Sequence, residues 1–493
     1  MEKKMAKPLM IVGTMSNAGK SLVCAGLCRV FKQDGYKVAP FKSQNMALNS
    51  FITPDGLEIG RAQALQAEAA GITPSALMNP ILLKPTTDIG SLVIVNGVVR
   101  GNMRASEYFR RKAELIPDIQ HAFWTLSAQY DIIVIEGAGS PVELNLKKDD
   151  IVNMGLAGML RVPVLLTGDI DRGGVFAQLL GTLDLLESDE RALVRGLIVN
   201  QFRGDVSLFQ DGISILEQKS GLPVLGVVPH IRHNLEDEDS LSGRLGQNHA
   251  GGIIDIAVIR LPKISNFTDF DVFSQYQGVS VRYADKPEQL GNPDLVIIPG
   301  TKSTIADMHW MKQTGMDRAV TALARRGFPV FGICGGYQIL GTEIADPEHT
   351  ECGGVTQGLG LLPCRTVFSP VKHQAQSSGK ITAKSGFFSC LDGADYSGYE
   401  VHMGRTESVG AQLTDHGGCI SGNVAGCYIH GFFDCVAVSE RLIQALYDAK
   451  GLQYTVRGID RSSERQRQLD LLAETVRKSL DIPKIYQIME DGV

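Results

Sequence analysis

A glycine-rich segment near the N-terminus, GTMSNAGKS at residues 13–21, constrains the fold more than any other part of the sequence. It follows the apolar run PLMIVG and leads into the apolar-periodic stretch SLVCAGLCRVFKQDG. A glycine-rich turn between a buried strand and a helix points backbone N–H groups and the positive end of the helix dipole at phosphate oxygens. The segment therefore predicts a P-loop and, with it, a parallel α/β sheet.

The residues of this loop have predicted roles in binding Mg-ATP. Lys20 is expected to reach the β- and γ-phosphates, and the Ser21 hydroxyl is expected on Mg²⁺. The spacing departs from the standard G-x-x-x-x-G-K-S, because Gly13 lies one residue early and Thr14 takes its place. The residues predicted to bind the nucleotide here are Gly13, Thr14, Ser16, Asn17, Ala18, Gly19, Lys20 and Ser21.

Three residues outside the loop complete the predicted nucleotide site. Glu136 ends the run DIIVIE and is predicted as a second Mg²⁺ contact, with an exposed strand-end glutamate as the alternative. Lys42 ends KVAPFK and is predicted to add positive charge over the γ-phosphate, with a surface lysine as an equal alternative. Asn200 ends RGLIVN and is a candidate for adenine recognition, with a turn-forming asparagine as the alternative.

Apolar runs alternate with longer amphipathic stretches along the whole chain, which predicts two doubly wound α/β domains. Runs rich in Val, Ile and Leu without polar alternation are typical of parallel strands covered on both faces. Residues 231–252 interrupt the pattern with an acidic and then Gly/Asn/Ser-rich stretch. The predicted boundaries are a P-loop domain over 1–235, a linker over 236–252, a flavodoxin-like domain over 253–445 and a helical tail over 446–493.

In the second domain, the run FPVFGIC leads directly into GGYQIL and places Cys334 between a buried strand and a helix. Gly332 and Gly336 flank it in the small-x-nucleophile-x-small pattern of a nucleophile elbow, where larger side chains would clash. A helix N-terminus also favours the thiolate. Cys334 is therefore the predicted nucleophile, and the oxyanion is expected at the backbone N–H of Gly335 and one from the Gly300 loop.

The general base is expected to be a histidine downstream of Cys334. His430 in GCYIHGFFD fits best, and His402 in GYEVHMGRT is the alternative. Together these features resemble class I glutamine amidotransferase domains, which release ammonia from glutamine through a cysteine thioester.

The sequence departs from that class at the third member of the catalytic group, because Gly431 and Phe432 stand where the class usually has H-x-E. The nearest downstream acid is Asp434, and four strand residues span roughly 13 Å, too far for a direct hydrogen bond. The sequence therefore predicts a Cys334–His430 dyad, with His430 oriented by the backbone or by water.

The offset P-loop resembles that of dethiobiotin synthetase-type ligases, and this domain order resembles the cobyrinic acid amidase family. The resemblance spans about residues 8–445 and is carried by GTMSNAGKS, PFKSQNM, NPILLKP, EGAGSP, GDIDRGG, LPKISNFTDFD, PGTKST, GICGGYQ and YEVHMGRT. It implies a ligase that uses Mg-ATP and glutamine to amidate the b, d, e and g carboxylates of adenosylcobyrinic acid a,c-diamide. That family also commonly lacks the acidic residue after the histidine.

Composition bears on the other classes of function. A net charge of −6 and the absence of a Lys/Arg-rich stretch argue against nucleic acid as the main partner. The sequence contains no run of 18 consecutive apolar residues, so a membrane-spanning helix is not expected. The nine cysteines form no CxxC pair, so neither a disulfide framework nor a zinc cluster is expected. We expect a cytoplasmic enzyme whose partners are a corrin, glutamine and ATP; the oligomeric state is left open.

Three alternatives to this interpretation differ in function. The sister a,c-diamide synthase has the same two-domain plan and a different pair of target carboxylates. A partition-type P-loop switch ATPase would bind DNA or membrane, and the nucleophile elbow counts against it. An amidotransferase domain kept only for binding is disfavoured by the intact Cys334 and His430.

Overall fold

The computed structural model describes residues 5–87, 90–231, 251–454 and 461–493, and the chain divides into two compact units. The first unit comprises Met1–Met46, Leu57–Leu235 and Arg465–Val493, and the second comprises Ala47–Gly56 and Glu236–Glu464. These units differ from the predicted boundaries, because residues 47–56 belong to the second unit and the C-terminal helices to the first. The predicted linker lies outside the described residues except at Gly251 and Gly252.

Strands and helices alternate through both units. The strands, in chain order, are β1 (Lys7–Gly13), β2 (Val38–Phe41), β3 (Gln44–Met46), β4 (Ser50–Ile52), β5 (Glu58–Gly60), β6 (Ile81–Thr87), β7 (Gly90–Val95), β8 (Val98–Arg104), β9 (Ile132–Glu136), β10 (Val164–Asp169), β11 (Val194–Phe202), β12 (Val224–Pro229), β13 (Ile254–Ile259), β14 (Val279–Ala284), β15 (Leu295–Ile298), β16 (Val330–Ile333), β17 (Glu343–Asp346), β18 (Gly354–Gln357), β19 (Cys364–Lys380), β20 (Asp395–Ser408), β21 (Cys419–Ser421) and β22 (Val424–Cys427). The α-helices are α1 (Lys20–Gln33), α2 (Arg61–Ala70), α3 (Ala105–Arg111), α4 (Ile116–Ser127), α5 (Met154–Leu160), α6 (Val175–Leu185), α7 (Ser188–Leu193), α8 (Gln210–Ser220), α9 (Thr304–Thr314), α10 (Met316–Arg325), α11 (Gly335–Leu340), α12 (Val436–Ala449), α13 (Arg461–Ser479) and α14 (Ile482–Asp491).

A parallel six-stranded sheet forms the centre of the first unit, in the order β12-β11-β10-β1-β9-β2. Strands β9 and β10 are wholly buried, and β1 is buried after its first two residues, which explains their apolar composition without polar alternation. The P-loop follows β1, Glu136 ends β9 and Asn200 lies near the end of β11. Because the carboxyl ends of parallel strands meet at one edge, the sheet brings these predicted site residues to the same edge.

The C-terminal helices pack on one face of this sheet. Leu469, Leu472 and Val476 of α13 are fully buried in the same core as α1. The approach is close, because a Cβ on Gly26 of α1 would lie 2.5 Å from Val476 Cγ2. Arg29 of α1 also pairs with a carboxylate of α13 at 2.8 Å. This burial of apolar side chains explains why residues 465–493 of the predicted tail belong to the first unit.

The second unit is built on another six-stranded sheet, in the order β14-β13-β15-β16-β22-β21, parallel except for β21. A four-stranded sheet, β18-β17-β19-β20, accompanies it. Cys334 follows β16 and His430 follows the neighbouring β22, so the sheet brings the predicted nucleophile and base together. The predicted class, two α/β domains with doubly wound parallel sheets, is confirmed. Among the described residues, no helix has the length and hydropathy needed to cross a bilayer.

Candidate active sites

Cys334 lies in a strained turn between β16 and α11. Its φ of 51° and ψ of −110° are uncommon for a residue with a side chain. A Cβ on Gly336 would lie 1.9 Å from the Ile298 carbonyl oxygen, and a Cβ on Gly332 would lie 2.6 Å from that of Gly336. Neither position has room for a larger residue, so the elbow has the geometry that its flanking glycines predict.

A buried carboxylate orients the histidine beside this predicted nucleophile. His430 is 1% exposed, and its Nδ1 lies 2.7 Å from Asp269 Oδ2. Burial lowers the pKa of His430, but the charge of Asp269, its hydrogen bond and a further hydrogen bond with Cys334 together raise that pKa to about 10. The structure thus pairs His430, and not the alternative His402, with Cys334.

The Cys334–His430–Asp269 triad corrects the predicted dyad. Asp269 lies upstream of the nucleophile, in the 3-10 helix Phe267–Gln275, and its Oδ1 also accepts the Gly431 N–H at 3.1 Å. The sequence near His430 gives no indication of Asp269, because folding brings this residue from a distant part of the chain. The signal that could have identified Asp269 is the family motif LPKISNFTDFD, which contains it and had no assigned chemical role.

The predicted oxyanion glycines lie around the same triad. Gly335 begins α11, and a Cβ on Gly300 would lie 3.0 Å from His430 Cε1. The Cys334 thiol points to the backbone of β20, with Sγ 3.7 Å from the Val401 carbonyl oxygen. The positions suit an oxyanion site on one side of the thiol, and the roles of the two N–H groups remain predictions.

Tyr399 is a residue of this site that the sequence reasoning missed. Its ring stacks on the His430 imidazole with centroids 5.4 Å apart, and their backbones exchange hydrogen bonds. The Tyr399 hydroxyl accepts from Asn266 at 2.7 Å and donates to the Ser50 carbonyl at 2.9 Å. Ser50 lies in the segment 47–56, which explains in part why that segment belongs to the second unit.

In the first unit, the P-loop folds around Lys20. The Lys20 ammonium donates to the carbonyl oxygens of Met15 and Gly139, both at 3.0 Å. A Cβ on Gly13 would lie 2.9 Å from Lys20 Nζ, so glycine at this early position gives the lysine the space to fold back. Asn17 and Gly19 both have positive φ, at 61° and 84°. The offset glycine is therefore part of the loop's geometry.

The remaining predicted ligands converge on Glu136. Its Oε1 accepts from the Ser21 hydroxyl and from the Lys42 ammonium, both at 2.8 Å. Gln66 of α2, which the sequence reasoning did not single out, donates to Glu136 Oε2 at 2.5 Å. Glu136 is 1% exposed and Lys42 is 4% exposed, so the alternatives of an exposed strand-end glutamate and a surface lysine are wrong.

Asn200 braces the P-loop from the adjacent strand. It pairs within β11, opposite Asp169, so the turn-forming alternative is wrong. Its side-chain amide donates to the Ala18 carbonyl at 2.9 Å, and a Cβ on Gly19 would lie 2.0 Å from that nitrogen. The contact to the loop is an additional role for Asn200, and adenine recognition stays a prediction.

A cavity of about 340 Å³ opens beside this site, at Ala138 and Gly139. Its walls are mainly apolar, with Leu83, Val93 and Met103 among them, and the ammonium-bearing Lys112 and Lys147 also line it. An acceptor molecule in this cavity would therefore reach the glycine whose carbonyl binds Lys20.

Two family models match this chain, one in each half of the sequence. The family described as the CobQ/CobB/MinD/ParA nucleotide binding domain matches residues 9–239, and the CobB/CobQ-like glutamine amidotransferase domain matches residues 255–437. Cobyric acid synthase of Lachnoclostridium phytofermentans is 52% identical over 99% of this chain and 100% of its own length. The chain belongs to the cobyric acid synthase family.

A second relative of this family has the same extent of similarity. The cobyric acid synthase of Ruminiclostridium cellulolyticum is 50% identical over 99% of this chain and 98% of its own length. The similarity therefore covers both units together. It confirms the family that the motifs indicated. It also disfavours the partition-type ATPase, because the family whose description includes MinD and ParA matches residues 9–239 and leaves the second unit unaccounted for.

Proposed function

We propose that this chain is an ATP-dependent, glutamine-hydrolysing ligase that amidates the b, d, e and g carboxylates of adenosylcobyrinic acid a,c-diamide. The observation that carries the proposal is the Cys334–His430–Asp269 triad in a chain that also holds a P-loop. Relatives similar along both units are named cobyric acid synthases. A switch ATPase has no use for a strained, histidine-paired cysteine.

The triad performs the glutaminase half-reaction. The Cys334 sulfur, its proton held on His430, attacks the amide carbon of glutamine, and the backbone N–H groups at Gly335 and the Gly300 loop bind the oxyanion. His430 gives its proton to the departing ammonia, leaving a thioester that water hydrolyses to glutamate. Asp269 keeps the imidazole in one tautomer and stabilises its protonated form, as the third member of a triad does.

The first unit performs the ligase half-reaction. A corrin carboxylate attacks the γ-phosphorus of ATP to form an acyl phosphate and ADP, and Lys20 with the loop N–H groups stabilises the charge of the transferring phosphoryl group. Ammonia then attacks the acyl carbon and displaces phosphate. The oxygen atoms of Ser21 and Glu136 lie 2.8 Å apart and fit Mg²⁺, which prefers oxygen ligands. When bound there, Mg²⁺ would neutralise charge on the β- and γ-phosphates.

The cavity beside Gly139 is our proposed acceptor site. Its apolar walls suit the hydrocarbon edge of a corrin, and the positive charge of Lys112 among the lining residues suits carboxylates that await amidation. The ammonium of Lys147 is paired with Glu190 at 2.6 Å. We place the enzyme in the cytoplasm, with the corrin, glutamine and ATP as partners and neither nucleic acid nor a membrane among them.

Mass spectrometry of the reaction product tests this function. The purified protein is incubated with Mg-ATP, glutamine and either cobyrinic acid or its a,c-diamide. We expect the diamide to gain four further amides, with ATP and glutamine consumed in step. Conversion of cobyrinic acid only as far as the a,c-diamide would assign the chain to the sister activity. Consumption of ATP without any new amide would overturn the proposal.

A further inference from the structure

Three side chains that the amidation mechanism does not use lie together on the β19–β20 pair. His373 is opposite His402 in the antiparallel register, and Glu400 is two residues before His402, so all three share one face. One ligand atom from each lies within 4.8 Å of the other two. The cluster borders the glutaminase nucleophile, because Val401, whose carbonyl lies 3.7 Å from Cys334 Sγ, stands between Glu400 and His402.

The hydrogen bonds of His402 identify Nε2 as the ring nitrogen that faces the cluster. His402 Nδ1 lies 2.8 Å from the Gly404 carbonyl oxygen, which only accepts, so Nδ1 carries a proton. In the neutral ring Nε2 then presents a lone pair, and it faces Glu400 Oε2 at 3.2 Å. Two acceptors at that distance repel each other unless a proton or a metal ion lies between them.

The geometry suits a metal ion. Zn²⁺ binds nitrogen and oxygen at ~2.0–2.2 Å, which puts two ligand atoms of a tetrahedral site about 3.3 Å apart. The separation of His402 Nε2 from Glu400 Oε2 is close to that, and His373 Nε2 lies 3.8 Å from the same oxygen. Metal-binding histidines usually donate their other N–H to a carbonyl or carboxylate, as His402 does to Gly404. His402 also stacks on Tyr428 at 3.6 Å, which holds its ring plane.

We propose that His373, Glu400 and His402 form a binding site for a divalent transition metal, with Zn²⁺ as the ion that the ligand set fits best. Three protein ligands leave a fourth position open. An ion here ties down the strand segment on either side of Val401, whose carbonyl oxygen lies 3.7 Å from Cys334 Sγ, and so restricts the backbone beside the nucleophile. Occupancy therefore inhibits the glutaminase, and this effect rests on the proposed function, whereas metal binding can be measured without substrate.

The binding test uses the full chain with Cys334→Ala, which removes the nucleophilic thiol as a competing ligand. Co²⁺ is titrated in and followed by its visible absorption, and Zn²⁺ is then added as competitor. We expect Co²⁺ to saturate one site, and Zn²⁺ to displace it. The spectrum should be that of nitrogen and oxygen ligands and should lack the charge-transfer band of a cysteine thiolate. Adding His373→Ala or Glu400→Gln should weaken it at least tenfold.

His416→Ala is the matched control, because His416 is also exposed and lies 4.0 Å from a carboxylate of Asp415. It should leave metal binding unchanged. Ammonia-dependent amidation shows that each variant is folded. If metal binding is the same with and without His373 and Glu400, a protonated His402 simply pairs with Glu400 and the proposal fails.

The inhibition test keeps Cys334. Micromolar Zn²⁺ should reduce glutamine-dependent amidation and leave ammonia-dependent amidation intact, and His373→Ala should require at least tenfold more Zn²⁺ for the same effect. Equal inhibition of the parent and His373→Ala would place the ion at the Cys334–His430 pair and overturn the regulatory effect. If ammonia also fails to support amidation in the absence of Zn²⁺, the proposed function fails, and the binding result stands on its own.

Discussion

Asp269 Oδ2 lies 2.7 Å from His430 Nδ1, and the other oxygen of the same carboxylate accepts the Gly431 N–H at 3.1 Å. The two bonds fix both the imidazole and the backbone that follows it. Asp269 is 4% exposed, so the charge acts in an environment that water screens little. The carboxylate therefore has the position of the acid in a catalytic triad, although Asp269 precedes Cys334 and His430 in the sequence.

Asp269→Asn should reduce glutaminase turnover severely. In Ser-His-Asp enzymes the loss of the acid costs about 10⁴ in rate, because the histidine adopts the wrong tautomer. Ammonia-dependent amidation should be preserved, since the ligase site is in the other unit. Asp434→Asn is the control and should cost less than about tenfold, because the carboxylate that bonds His430 Nδ1 is that of Asp269. A loss below tenfold for Asp269→Asn would return the site to a Cys334–His430 dyad.

The Asp269–His430 pair determines how the alkylation of Cys334 depends on pH. Burial disfavours the imidazolium, but Asp269 and Cys334 raise the pKa of His430 from 6.5 to about 10. His430 thus keeps its proton through neutral pH and releases it only as the pH rises through about 10. Without the charge and the hydrogen bond of Asp269, the lowering effect of burial remains and the pKa of His430 falls, so less imidazolium is present beside Cys334 at neutral pH.

The rate at which iodoacetamide alkylates Cys334 measures this effect of Asp269. Mass spectrometry of the peptide that contains Cys334 gives the rate. Between pH 6.5 and 8 the parent should react fast, and Asp269→Asn should react at least tenfold more slowly. Cys352 is exposed and provides an internal reference in the same digest. Matching pH profiles for Cys334 in the two proteins would show that Asp269 does not hold the proton on His430.

The two half-reactions should separate by mutation. Cys334→Ala should abolish glutamine-driven amidation, yet high concentrations of ammonia should still support it, because the acyl phosphate forms in the other unit. Lys20→Ala should stop both, since the transferring phosphoryl group loses the positive charge that the P-loop provides. The measurement is amide formation with each nitrogen source. A Cys334→Ala protein as inactive with ammonia as with glutamine would contradict this division of labour.

The sequence was informative wherever a function depends on neighbours in the chain. The P-loop and the elbow each consist of a strand, a tight turn and a helix in succession, so Lys20 and Cys334 were predicted from local pattern. Asp269 was missed because it reaches His430 only through tertiary packing. Gln66 was missed for the same reason, since a glutamine on an alanine-rich helix gives no sign that it will bind Glu136.

The packing of the C-terminal helix on α1 can be tested by stability. Gly26→Ala should destabilise the first unit by about 1–3 kcal/mol, because its Cβ would overlap Val476 and overpacking has that cost. Gly181→Ala in α6 is the matched control: nothing lies within 4 Å of the added Cβ, so the gain in helix propensity should stabilise by up to about 1 kcal/mol. Urea unfolding followed by circular dichroism gives both values, and equal effects would contradict the close packing.

Asn200→Ala distinguishes the two roles of that residue. Losing the hydrogen bond to Ala18 leaves a buried carbonyl without its donor, which costs about 1–3 kcal/mol and should weaken nucleotide binding by loosening the loop. If Asn200 serves only as this brace, affinity for ATP and GTP should fall by the same factor. If it also reads the adenine, affinity for ATP should fall further and the preference for ATP over GTP should narrow.

Equilibrium binding of ATP and GTP to the parent and to Asn200→Ala distinguishes these outcomes. We expect the larger loss for ATP, because Asn200 lies at the sheet edge where open α/β sheets bind ligands. Unchanged affinity for both nucleotides would contradict both roles.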